Sequence, residues 1–465
     1  MRTSKRPGGF RRSIQVFKYR NYRLYFSGQL VSTTGTYMQS VALAWLIYAQ
    51  TKSPVLLGVV AFASQMPVFI LAPFSGILAD RMPRQRVVIT CESLSLLLSL
   101  ALTVLTFAHR IGIWEILVIA TVMGVLNAFN FPARQAFMAD IVPKADLIHA
   151  IPLNSSMINA ARIVGPAIAG VLVAAIGEGW CFAINTSSYA AVVVALLLIK
   201  VQSHKMTAHA RSVFANIREG FAFAVSNGPD LALLLLLGVV SFWGMRFDVL
   251  LPVFADKVLT EGPAALGILM GATGIGAVLG SLVLAARSNV RELGAWIAFA
   301  ALGFGGALIL FAISRSLWLC AGLLVAAGFA MVAQLDSSNT LLQETVPDDL
   351  RGRITSIWTM MLTGMGPFGS LVIGALAGRF GATRTLAAGG TACAMGAIVF
   401  GFYLPIFSRR AMESIGSDCE TEVSEAGGPL TLFEKTGALA SPGEDQGDRR
   451  GEHQCSRRPT ADVSK

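Results

Sequence analysis

Gly76-Ile77-Leu78-Ala79-Asp80-Arg81-Met82-Pro83-Arg84-Gln85-Arg86 is the stretch from which the fold of this chain can be read. It joins two long apolar segments, roughly 54–79 and 87–108. Arg81, Arg84 and Arg86 cannot enter hydrocarbon, so the stretch is a loop in water, on the cytoplasmic side of a membrane. Asp80 stands where a helix runs out of the bilayer, and Gly76 lets two backbones approach closely.

Composition agrees with that reading. The chain has 465 residues, 54% of them hydrophobic and 14% charged, which excludes an ordinary soluble domain. Its apolar residues come in runs of about 20 or more, the length that crosses a bilayer. The formal charge is +10, but Lys and Arg cluster at the ends of apolar runs. That placement signals topology rather than a groove for nucleic acid. Six cysteines, Cys91, Cys181, Cys320, Cys393, Cys419 and Cys455, stand singly, so neither a disulfide framework nor a metal site is expected. The basic N-terminus lacks a small-residue cleavage site before the first apolar run, which is therefore expected to stay as a helix.

Taken in order, residues 1–23 form a basic cytoplasmic N-terminus. Six spans follow over 24–199, near 24–49, 54–79, 87–108, 113–139, 150–176 and 180–199. In the first, Gln29, Thr33, Thr36 and Ser40 share a helical face. That face either hydrogen-bonds a neighbouring helix or lines a cavity. The fourth ends with Asn127, Asn130 and Arg134 on one face; Arg134, near the cytoplasmic end, is expected to snorkel or pair at a gate. The fifth carries Ser155, Asn159, Arg162 and Pro166 at helical spacing. Arg162 sits midway along it, where a charge needs a partner or water, and a cavity position there would favour anionic substrates. Gly165, Pro166 and Gly170 read as a packing and kink site, because Pro removes a backbone bond and small residues allow close contact.

Residues 200–229 are a polar linker with Phe214, Ile217, Phe221 and Val225 at helical spacing, an expected surface helix on the inner face. A second set of spans over 230–406 lies near 231–253, 264–286, 294–313, 316–340, 354–378 and 383–405. A shift of about 204 residues pairs Gly76 with Gly280, Pro143 with Pro347, Gly170 with Gly374 and Gly177 with Gly381. Pro54-x-x-Leu57-Gly58 recurs as Pro263-x-x-Leu266-Gly267, and Gly165-Pro166 as Gly366-Pro367. The expected fold is an all-α integral membrane protein of twelve transmembrane helices in two six-helix pseudo-repeats, with both termini cytoplasmic. With that topology the outer loops hold few Lys and Arg. Residues 407–465 are rich in Gly, Ser, Pro and Glu and read as a disordered cytoplasmic tail.

The stretch Gly-x-x-x-Asp-Arg-x-x-Arg-x-Arg at 76–86 resembles the loop between helices 2 and 3 of the major facilitator superfamily, departing at Pro83, where that family usually has glycine. Gly165-Pro166-Ala-Ile-Ala169-Gly170 resembles the Gly-Pro-x-x-Gly-Gly motif on helix 5 of superfamily exporters. Phe131-Pro132-Ala133-Arg134-Gln135 and Asn339-Thr340-Leu341-Leu342-Gln343, with Val346-Pro347-Asp348-Asp349-Leu350-Arg351-Gly352-Arg353, look like the exporter branch that includes the enterobactin exporter and macrolide efflux proteins. The resemblance spans roughly 15–405. It implies a proton-driven exporter in the inner (plasma) membrane of a bacterium, working by alternating access on a small amphiphilic molecule such as a siderophore or a drug. It names no substrate.

The functional readings follow. Asp80 with Arg81 is expected to act as a conformational latch, with Gly76, Arg84 and Arg86 completing the gating motif. Gln29, Thr33, Thr36, Asn127, Asn130, Asn159 and Arg162 are the cavity candidates. Among the acids in or near spans, Asp248 and Asp336 are the candidate proton carriers, whereas Glu92, Asp140 and Glu344 lie near cytoplasmic ends and are read as hydrated. Asp248 cannot pair with Arg246, because residues two apart point to different faces. No phosphate loop or catalytic constellation is present, which argues against ATP as energy source and against an enzyme. No cofactor and no metal are expected; the partners are the substrate, protons and the bilayer, with no nucleic acid, and a monomer is expected. Nutrient uptake, or a membrane sensor or scaffold of the same fold, are the alternatives.

Overall fold

A computed structural model describes residues 15–200, 228–285, 293–346 and 348–404. The linker helix and the tail expected from the sequence lie outside these residues, as do the side chains of Gly76, Asp80 and Arg81. Every regular element described is helical. The long ones are α1 (Arg20–Thr51), α2 (Pro54–Arg81), α3 (Arg84–Phe107), α4 (Ile113–Ile141), α5 (Leu147–Ile176) and α6 (Glu178–Leu198), then α7 (Gly228–Val258), α8 (Gly262–Ala285), α9 (Leu293–Ile313), α10 (Leu317–Thr345), α11 (Asp348–Phe380) and α12 (Ala382–Gly401). Among the described residues, ten of these helices are long and apolar enough to cross a membrane. The exceptions are α1, diluted by its Gln, Ser and Thr residues, and α12, diluted by Gly, Thr and Arg384. Apolar side chains point outward along the helices, among them Val118, Val171, Leu197, Leu310 and Ile398. Such a surface suits lipid rather than water, and the chain is a multi-pass membrane protein.

The packing repeats after six helices. In the first set, α1 packs on α5 and α6, α2 on α4, and α3 on α4 and α6. In the second, α7 packs on α11 and α12, α8 on α10, and α9 on α10 and α12. The sets meet chiefly through α2 against α11 and α5 against α8, and each of these contacts is the image of the other. The letters that repeat in the sequence are the ones that touch. Gly58 of α2 meets Gly374 of α11, and Gly267 of α8 meets Gly170 of α5. A side chain at Gly267 would lie 2.6 Å from the Pro166 carbonyl, so only glycine permits this approach. Gly177 and Gly381, paired by the repeat, open α6 and α12 with φ of 89° and 88°, a region open to glycine at little cost.

One element departs from the expected continuous helix. After Val239, α7 passes through a π segment (Val240–Gly244), a tighter 3-10 segment (Met245–Leu250), one α turn and a second π segment (Phe254–Val258). Pro252 has no N–H to give the Asp248 carbonyl, which frees the local ladder.

Candidate functional site

A cavity of ≈ 310 Å³ opens between the two helix sets, walled by α1, α2, α4, α6, α7 and α8. Its lining is mainly apolar, with Thr36, Gln39, Ser40, Ser64, Asn127, Tyr189 and Asp248 as polar points. Size and lining suit a small amphiphile. Among the described lining residues Asp248 alone carries a charge. The irregular backbone of α7 places it there, and its Oδ1 accepts a hydrogen bond from the Val249 N–H at 2.9 Å.

The wall is braced by a polar frame that the sequence reading missed. Gln39 Oε1, buried, accepts hydrogen bonds from Asn185 Nδ2 at 2.7 Å and Ser99 Oγ at 2.9 Å, tying α1 to α6 and α3. Thr36 and Tyr189 hydroxyls lie 3.2 Å apart. Gly35 makes room for this frame: a side chain there would sit 2.6 Å from Ser188 Oγ. Gln39 falls one position off the Gln29-Thr36-Ser40 face, which is why that face alone did not reveal it.

Beyond one end, the cavity is shut by the glycine contacts and by an ion pair, Lys52 Nζ to Asp256 Oδ2 at 2.9 Å, between the α1–α2 turn and the end of α7. At the opposite end lies the stretch 76–86. There Arg84 Nη1 donates to Asp140 Oδ1 at 2.9 Å and to the Ala136 carbonyl at 3.1 Å, so Asp140 is paired rather than merely hydrated. Gln85 Nε2 donates to the carbonyls of Leu196 and Ile199, each at 2.8 Å, satisfying the orphan end of α6. Arg86 is exposed.

The remaining candidates divide. Thr36 and Asn127 line the cavity; Gln29, Thr33, Asn130, Asn159 and Arg162 are not among its lining residues. Gln29 and Thr33 are buried between helices. Arg162 Nε donates to Tyr37 Oη at 3.3 Å, and its guanidinium lies 5.9 Å from that ring, so among the described residues its partner is a phenol on α1. Arg246 occupies the related place in the second set: its guanidinium lies against Gly366 as Tyr37 lies against Gly165. Arg246 and Asp248 share the 3-10 segment of α7, and the Arg246 charge acts on the Asp248 carboxyl. Asp336 is exposed on α10, away from the cavity lining, and its backbone carbonyl accepts from Thr340 Oγ1 at 3.0 Å.

Arg134 does not snorkel. Its Nη1 donates to Gln29 Oε1 at 2.8 Å, inside the first helix set. Beside it Glu92, 2% exposed, accepts from Asn130 Nδ2 at 3.1 Å. The reading of Glu92 as a hydrated acid is therefore overturned: α1, α4 and α6 close over it.

A family model described as transmembrane secretion effector matches residues 13–432. The chain belongs to this family of the major facilitator superfamily. It is 28% identical over 384 residues to the staphyloferrin A transporter of Staphylococcus aureus, covering 82% of this chain and 95% of that protein. It is 27% identical to the multidrug efflux pump Tap of Mycolicibacterium fortuitum, over 77% of this chain and 90% of the pump. Among solved structures, the nucleoside transporter NupG superposes with a TM-score of 0.65 over 82% of this chain and 98% of its own, at 14% identity, a likeness of fold alone. In this member of the family, residues 82–86 and 165–170 serve helix ends and helix contacts, while the polar points of the cavity come from elsewhere, on α1, α2, α4, α6 and α7.

Proposed function

We propose that this protein is a secondary active exporter of small amphiphilic molecules, coupled to protons and working by alternating access. The observation that carries the reading is the cavity between two pseudo-symmetric helix sets, closed beyond one end by contacts that involve both sets. Those closing contacts are a glycine pair at each interface and one exposed ion pair, all of which can separate without leaving a buried charge behind. Both the siderophore and the drug relative favour amphiphilic cargo. Twelve spans in two six-helix bundles, with both termini cytoplasmic, place Lys52 and Asp256 outside, so the described conformation is closed outward. The stretch 76–86 then lies on the cytoplasmic side, where Asp80 and Arg81 act as the latch. Asp248 as the cavity's charge, with Arg162 turned to Tyr37, favours neutral or cationic cargo over anionic cargo. The test is uptake of labelled candidates into inverted and right-side-out vesicles under an imposed proton gradient. Accumulation in inverted vesicles that a protonophore abolishes is the expected result; accumulation only in right-side-out vesicles would make the protein an importer.

A further inference from the structure

Glu92 lies one helical turn from the cavity wall, since its partner Asn130 follows Asn127 on α4. Every packed helix contributes a group that faces it. These are Tyr25 and Gln29 on α1, Asn130 and Arg134 on α4, Tyr189 on α6, and Cys91 beside it on α3. Arg134 is the one cation among them; its charge acts on Glu92, but its Nη1 donates to Gln29 and not to the carboxyl. Glu92 Oε2 and Gln29 Nε2 are both buried, and the Gln29 amide is the neutral group that reaches this carboxyl from α1. A carboxylate buried among neutral donors, with its one cation bonded elsewhere, is costly, whereas a carboxyl carrying a proton is less so.

The second helix set carries no charge at the equivalent positions. The 204-residue shift puts Trp296 in place of Glu92, Gln334 in place of Asn130 and Ser338 in place of Arg134. There Gln334 Nε2 donates to Ser338 Oγ at 3.2 Å, a neutral and buried pair. At these positions the acid and the guanidinium are therefore confined to the first set.

We infer that Glu92 is the proton-carrying group of the transport cycle, with Arg134 as the positioning partner that trades Gln29 for Glu92 when the proton leaves. This rests on the proton-coupled reading above. In the described conformation the proton sits on a Glu92 oxygen. Release breaks that O–H bond, gives the proton to water and leaves a carboxylate, whose charge draws Arg134 Nη1 away from Gln29 Oε1. Because Gln29 is on α1 and Arg134 on α4, that exchange alters how the two helices meet beside the cavity. Asp248 then serves the cargo rather than the proton, and Asp336 neither.

The test needs no identified cargo. Spin labels at Ala175→Cys on α5 and Glu261→Cys before α8, with Cys419 and Cys455 replaced by serine, report the distance across the Lys52 end in lipid nanodiscs. The short distance of the closed end should dominate at pH 5.5, and the long-to-short ratio should rise roughly five-fold by pH 8.5. Glu92→Gln, which mimics the protonated acid in shape and charge, should hold the short distance at both pH values. Asn130→Ala should keep the response and shift its midpoint, and Asp336→Asn should leave it unchanged. If Glu92→Gln responds to pH like the unsubstituted protein, Glu92 is not the carrier while proton coupling stands. If the unsubstituted protein does not respond to pH at all, the proton-coupled reading falls and this inference with it.

Discussion

Gly58 on α2 and Gly374 on α11 touch backbone to backbone: a side chain built on Gly374 would lie 2.9 Å from the Gly58 Cα and 2.8 Å from the Pro54 carbonyl. Gly58→Val therefore cannot be absorbed by a rotamer change, because the atoms it meets are main chain. Overpacking of this kind costs about 1–3 kcal/mol. It should fall on the closed conformation alone, raising the open population about ten-fold or more. Distance measurements across the Lys52 end check this, and an unchanged distribution would show that the contact does not hold the end shut.

The Lys52–Asp256 pair should matter far less. Its side chains are 52% and 27% exposed, and such pairs contribute about 0–1 kcal/mol. Lys52→Ala should weaken closure by no more than that, Lys52→Asp by somewhat more because two acids then meet, and the exchange Lys52→Asp with Asp256→Lys should restore it. The effect should shrink in high salt, because exposed charges are screened. A loss of closure as large as that of Gly58→Val would contradict the exposed geometry.

Tyr37 and Arg162 form one unit. Tyr37→Phe removes the hydrogen bond but keeps the ring under the guanidinium, and should lower stability by about 1 kcal/mol. Arg162→Lys keeps the charge but loses the planar fork, and should do at least as much damage. Thermal unfolding in detergent compares the two. If Arg162→Ala is tolerated with unchanged stability, the guanidinium has no structural task and a ligand role returns.

Asp248→Asn addresses the cavity directly. If its carboxylate meets cargo, binding of a lipophilic cation such as tetraphenylphosphonium should weaken about ten-fold, as expected for loss of one partly desolvated charge contact. Binding of a neutral dye such as Nile red should change little. Equal effects on both probes, measured by equilibrium binding, would mean that Asp248 shapes the cavity without reading charge.

The hydrophobic runs and their flanking arginines suffice to show a multi-pass helical protein, because hydrocarbon tolerates no unpaired backbone and no free guanidinium. The repeat was legible for a related reason. Glycines at helix contacts meet main chain, and those at positive φ avoid backbone strain, so Gly58, Gly170, Gly177 and their counterparts are visible as spaced letters. The interior was not legible in the same way. Spacing along one helix tells which residues share a face, but not which neighbour that face meets. Gln29 and Thr36 share a face on α1, yet one bonds Arg134 in a buried cluster and the other lines the cavity. Nearness of Glu92 to a span end suggested water, but three other helices cover it. A group's depth and partners are set by how helices distant in sequence come together, and that was decided only by the tertiary structure.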